Sequence, residues 1–180
     1  LICTLDNSTG IFSKGNEDGA YYGHMVPGQL VKFTAQIGSG AETTLFQGDF
    51  EDIQLNLGPR ASEHTATLTA TGVIGRLVGV DVPVASYVDT ATGSLIGGIL
   101  NAAEFPAGDR SIDAGQSTIG RYALKENTEA LSAIRDIENA EYGKLRESKD
   151  GKLIFESRAH RLSSPHTVSQ ATYSLDPTSA

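Results

Sequence analysis

The sequence predicts an α+β protein: mainly an antiparallel β-barrel or strongly bent sheet, with two amphipathic helices packed on it. Three observations predict it. The first half alternates apolar and polar residues between turns built from Gly, Asn, Asp and Ser. Two later stretches repeat apolar residues at helical spacing. The second of these runs straight into a hairpin signal at Asp150-Gly151.

Taken in order, Ile2–Leu5 is a short strand, closed by a turn at Asp6-Asn7-Ser8-Thr9-Gly10, where short polar side chains bond their own backbone. Ser13–Gly23 is a polar, glycine-rich loop carrying Tyr21 and Tyr22. After the turn Met25–Gly28, Gln29–Ile37 is a strand with Val31, Phe33, Ala35 and Ile37 on one face. Gly38-Ser39-Gly40 turns the chain into a long strand, Thr43–Leu57, whose phase slips. Phe46 and Phe50 share one parity, and Ile53, Leu55 and Leu57 the other. A bulge near Glu51-Asp52 accounts for the slip and bends the strand. Gly58–Glu63 is a polar turn and Thr65–Thr71 a third strand of the meander, alternating Ala66, Leu68 and Ala70 with threonines. Val73–Val78 is a helix of one or two turns, and Val80–Val84 a short strand limited by Pro83.

From Thr90 the texture changes. Ile96, Ile99, Leu100 and Ala103 mark a helix capped by Thr92 or Ser94 and ended by Phe105-Pro106. Gly97-Gly98 weakens it by roughly 1 kcal/mol per glycine, which close packing would justify. Arg110–Ala114 and Ile119–Leu124 are short strands. Asn127 or Thr128 then caps a helix with Ala130, Leu131, Ile134 and Ile137 on its apolar face. Glu129, Arg135, Asp136 and Glu138 fall mostly on the opposite face. Gly143 is expected to stop this helix in the left-handed conformation, and Leu145–Arg158 to form the hairpin. Leu162–Ala180, rich in Ser, Thr and Pro, is expected to be extended or a linker. The expected organisation is a β part over residues 1–85, a helix–strand–helix–hairpin part over 86–161, and the tail 162–180.

The formal net charge is −8 with no dense basic run, which opposes binding of a phosphate backbone. No apolar stretch reaches about 18 residues, so no membrane span is expected. Cys3, the single cysteine, excludes an internal disulfide and a multi-cysteine zinc site. No signal peptide is apparent and the chain does not begin with Met. The chain is expected to be a fragment of a longer polypeptide.

Several segments, in this order, resemble a known pattern: TLDNSTGIFSKGN, GQLVKFTAQ, LFQGDFEDIQ, TATLTATGVIGRL, GSLIGGILNAAEFPAGDRSIDAGQST and ALSAIRDIENAEYGKLRESKDGKLIFESRAHR. Together they are similar to phage tail proteins of the baseplate-hub or tail-tip family, over Thr4 to Arg161. The resemblance implies a tail-tube-like β-barrel, arranged with copies of itself as a homotrimer ring around the DNA channel. It implies contacts with tail tube, tape-measure and other tail-tip or baseplate proteins, in the virion. DNA would only pass through the lumen. It implies no cofactor, no metal and no catalytic residue. Hubs of that family are longer and carry a second barrel, so this chain would be a piece of one or a reduced relative.

The residues do not spell an enzyme. Gly93–Gly98 lacks a phosphate-loop pattern and is expected to be a packing contact. His24, His64, His160 and His166 stand in no metal-ligating or triad pattern. Asp49 and Glu51 share a parity and are expected to face solvent with Asp52. Asp6–Gly10 lacks the distal bidentate Glu of a calcium loop. Cys3 is expected to be a small buried hydrophobe. A virion structural role is therefore the expected function. Two alternatives remain: a glycan- or cell-surface-binding β-module using Tyr21, Tyr22, Tyr87 and Tyr142, and a tail-tube-like subunit of a contractile injection system.

Overall fold

The computed structural model describes residues 1–168. Its elements are β1 (Ile2–Asp6), β2 (Leu30–Ala35), β3 (Thr43–Asn56), β4 (Thr65–Thr71), β5 (Asp81–Val82), β6 (Ala85–Ala91), α1 (Thr92–Ala102), β7 (Arg110–Ile112), β8 (Thr118–Leu124), β9 (Thr128–Glu129), α2 (Ala130–Glu141), β10 (Lys144–Glu147) and β11 (Leu153–Glu156). Of the tail expected to be extended, residues 169–180 lie outside the described residues. The chain divides into two compact units. One holds Leu1–Val80, Ala107–Arg110 and Arg146–Leu153; the other holds Asp81–Pro106, Ser111–Leu145 and the residues from Ile154 on.

The first unit is built on a curled antiparallel half-barrel in the order β1–β4–β3–β2. Alternation decides its faces. Ala66, Leu68 and Ala70 of β4 are buried while the intervening threonines are half-buried. The expected bulge is present: the β3–β4 register shifts between Phe50 and Asp52, so Phe50 and Ile53 fall in one core despite opposite parity. Leu5, Phe12, Met25, Val31, Phe33 and Phe46 pack against that core. The fully covered large side chains, Phe50 and Ile53, each contribute about 1.5–3 kcal/mol. β2 is shorter than expected, and Ile37 lies beyond its end, 92% exposed. The turn after β1 is held by side chains: Asp6 accepts from the Ser8 amide at 2.8 Å, and buried Asn7 accepts from the Phe12 amide at 3.0 Å. The expected short helix is a 3-10 helix over Val73–Leu77, with Val73 and Leu77 buried.

The hairpin turn is corrected by one residue. Ser148 donates its amide to Lys152, enclosing Lys149-Asp150-Gly151, with Gly151 at φ 71°. It is a three-residue connection with glycine in the left-handed position, not a two-residue one. Strands β10, β11 and β7 form a sheet in that order.

In the second unit α1 packs on α2, and β6 pairs antiparallel with β8. Strand β6 was not expected. It alternates poorly, and Asp89 at φ 46° breaks the alternation, although the register with β8 is the same on either side of it. Three helix-end expectations are also corrected. Ala91 and Glu129 occupy the positions before α1 and α2, and neither makes a side-chain cap. The Thr128 hydroxyl bonds Lys125 instead, at 2.8 Å to its carbonyl. Finally, the left-handed residue after α2 is Tyr142 (φ 55°), not Gly143. Tyr142 donates its amide to Asn139 and Gly143 to Glu138, a Schellman closure. Gly143 is needed for space: a Cβ there would sit 2.8 Å from the Glu156 carbonyl.

Gly93 meets the expected packing requirement, whereas Gly97 does not. A Cβ on Gly93 would lie 1.9 Å from the Asp113 carbonyl oxygen, while nothing lies within 4 Å of one on Gly97. Gly93→Ala should destabilise the chain by roughly 3 kcal/mol, the upper end of overpacking costs. Gly97→Ala should stabilise it by about 0.5–1 kcal/mol through helix propensity. Urea titration of both variants checks the pair.

Candidate functional site

The structure disperses most of the residues singled out in the sequence. On β3, Asp49 is not solvated as expected. It receives both Nε and Nη2 of Arg76, at 2.5 and 2.7 Å, and Asp109 takes the same guanidinium at 2.9 Å. These bonds, Asp49 foremost, raise the Arg76 pKa above its already high ordinary value. Glu51 accepts from the Thr71 hydroxyl. Asp52 is exposed, 3.8 Å from Lys14. Cys3 is half-buried in β1, less covered than expected. His24 lines an apolar cavity of the first unit, and His64 is half-buried immediately before β4. His160 and His166 approach one another, ring centres 5.0 Å apart. His160 Nδ1 is 2.9 Å from Asp113, which also accepts the Ser157 amide at 2.9 Å. No group of three or more His, Cys, Asp or Glu among the described residues is arranged to hold a metal.

Two charged arrangements in the second unit were not visible in the sequence. The first is Glu141, the last residue of α2, with 0% exposure. Its carboxylate accepts the Thr92 hydroxyl at 2.9 Å and the amides of Gln116 and Ser117 at 2.9 and 2.8 Å. A negative charge at a helix C-terminus is disfavoured by the macrodipole. Here it also sits at Thr92, the start of α1, where the same effect favours it. Burial pushes the Glu141 pKa up, but the bonds from Gln116, Ser117 and Thr92 outweigh it and hold the group below its ordinary 4.5. Glu138, expected on the solvent face, is likewise buried. It accepts the Leu145 amide and pairs with Arg135, both at 2.6 Å.

The second arrangement is a pocket of about 260 Å³ lined by Tyr142, Gly143, Lys144, Glu156, Ser157, Arg158 and Arg161. The absence of a dense basic run in the sequence is thus only local. Lys144 follows α2 and the two arginines follow β11, so the fold brings Lys144 to a pair of arginines farther along the chain. Arg158 is half exposed, with its Nε 4.0 Å from Glu141.

The first unit carries an apolar cavity of about 360 Å³ between the sheet and the preceding loop, lined by Leu5, Phe12, Met25, Val31 and Phe33 among others. Tyr21 stacks on Phe12 at 5.1 Å and 11°, so one of its faces is already taken. Strands β1 and β2 end the sheet order. Leu30 and Ile2, on these strands, are 62% and 73% exposed.

The chain resembles two solved structures. One is a 43 kDa tail protein of prophage MuSo2 from Shewanella oneidensis, at 15% identity and TM-score 0.50. The match covers 87% of this chain and 44% of that one. The fold is shared with that tail protein. A tail protein from Neisseria meningitidis MC58 also matches, at 12% identity and TM-score 0.50, over 62% of this chain and 34% of its own. The chain thus spans less than half the length of either. No family model and no curated protein sequence matches it. Among the described residues, no helix is long and apolar enough to cross a membrane.

Proposed function

We propose that the chain is a structural component of a phage tail, of the baseplate-hub or tail-tip kind. In this proposal copies of the chain close into a ring, a trimer, around the DNA channel and join the tail tube to the tip. The observation that carries it is the half-barrel whose sheet order ends at β1 and β2. An edge strand offers a row of backbone donors and acceptors that a sister copy can pair, and cyclic symmetry then closes the ring. The fold shared with two tail proteins supports this. The acidic balance of −8 fits a channel that lets DNA pass without holding it. Tape-measure and other tail proteins would be its partners, and it would carry no chemistry of its own.

Location provides the test. Gold-labelled antibody against the chain should decorate the tip of tail particles from a strain that produces it. Label confined to the capsid, or absent from particles that contain every other tail protein, would overturn the proposal.

A further inference from the structure

The pocket at the end of α2 has features of a built socket. Lys144, Arg158 and Arg161 line it, in a chain with 22 acidic and 14 basic residues. Lys144 and Arg161 make no ion pair among the described residues. The acidic residue of the lining, Glu156, has one carboxylate oxygen 3.7 Å from His160 Nε2. At the rim stands Tyr142, 83% exposed although its backbone is left-handed at φ 55°. That conformation is strained for a non-glycine residue, and glycine is the usual occupant of the position. An exposed tyrosine held there gains nothing from the core. Tyrosine and arginine together are the side chains that dominate protein interfaces.

The same chain supplies a matching group. Glu17 and Asp18 are exposed in the loop between β1 and β2. The other adjacent acidic pair, Glu51-Asp52, is engaged by Thr71 and Lys14. Neither Glu17 nor Asp18 makes a side-chain bond or ion pair among the described residues. Exposed Tyr22 lies in the same loop.

We propose that the Tyr142–Lys144–Arg158–Arg161 pocket seats the Glu17-Asp18 loop of a second copy of the chain. This deepens the ring assembly proposed above and rests on it. Pocket and loop are different surfaces of the chain, so in the proposed ring each copy seats the loop of the next, head-to-tail. Its charges set which faces meet and how fast.

The experiment has two arms on the full chain. In the first, assembly is followed by mass photometry. Lys144→Glu with Arg161→Glu should raise the concentration for half-assembly roughly tenfold or more, as should Glu17→Lys with Asp18→Lys. Combining both pairs should restore it, because the charges are exchanged and not lost. Tyr142→Gly should weaken assembly while raising thermal stability, which separates binding from folding. In the second arm, a labelled peptide of residues 13–23 is titrated onto the chain. It should bind the wild type and not the Lys144→Glu, Arg161→Glu variant.

Assembly unchanged by both reversals overturns the socket and leaves the ring standing. A wild type that stays monomeric yet binds the peptide in the pocket overturns the ring and supports the socket. No assembly and no peptide binding removes both.

Discussion

Replacing Glu141 with alanine should cost about 3–5 kcal/mol, the penalty for breaking a buried charged network by removing one partner. Three donors lose their acceptor at once: the Thr92 hydroxyl and the Gln116 and Ser117 amides. Thr92 and Glu141 are both 0% exposed, so the Thr92 hydroxyl is left buried without its acceptor. Glu141→Gln keeps the volume and one acceptor oxygen, so its loss should be smaller. The two variants also differ from the wild type in pH response. The folded-state pKa of Glu141 is lowered, so its stabilisation is complete above the ordinary 4.5 and lost as pH falls through the lower folded value. The gap between wild type and Glu141→Gln should therefore narrow as pH falls below 4.5. Urea titrations at pH 7 and at successively lower pH check both statements. A gap that stays constant with pH would show that the carboxylate is not the titrating group.

Phe50→Ala should be equally severe in the first unit, at about 3–5 kcal/mol for a large core aromatic reduced to a methyl. Phe50 is 3% exposed and sits at the bulge, where it brings the first half of β3 onto the same core as Ile53 and Leu68. Hydrogen exchange should show the loss first in β3 and β4. Amides of α1 and α2, in the other unit, should keep their protection at early times. Equal loss everywhere would mean that the two units unfold as one.

What was legible in the sequence was periodic or locally signalled. β4 carries four threonines alternating with Ala66, Leu68 and Ala70, and its bounds were read directly. The slip in β3 was visible because phenylalanines and aliphatics changed parity, and it proved to be a bulge. The segment Ala85–Ala91 gave no such signal: Asp89 breaks its alternation, and only pairing with β8 makes it a strand. Helix ends were misread for a related reason. Thr92 is a good capping residue on local grounds, but its hydroxyl is used by Glu141, 49 residues away. Gly143 is a good helix stop, but the space next to Phe155 claims it, and Tyr142 takes the left-handed turn. The same limit hid the cationic pocket. No local run announces Lys144, Arg158 and Arg161 together, since it takes the return of the chain through β11 to assemble them. Glu138 looked like a solvated helix charge, and Glu141 carried no signal of its own, because spacing alone does not reveal which loop covers a helix end.

The proposed role depends on strand edges that are completed by sister copies. Native mass spectrometry of the full chain, over a range of concentrations and at low salt, tests this most directly. The expected result is one closed species, a trimer, that grows with concentration at the expense of the single chain. A single chain at every concentration, with no larger species formed when other tail proteins are added, would contradict it.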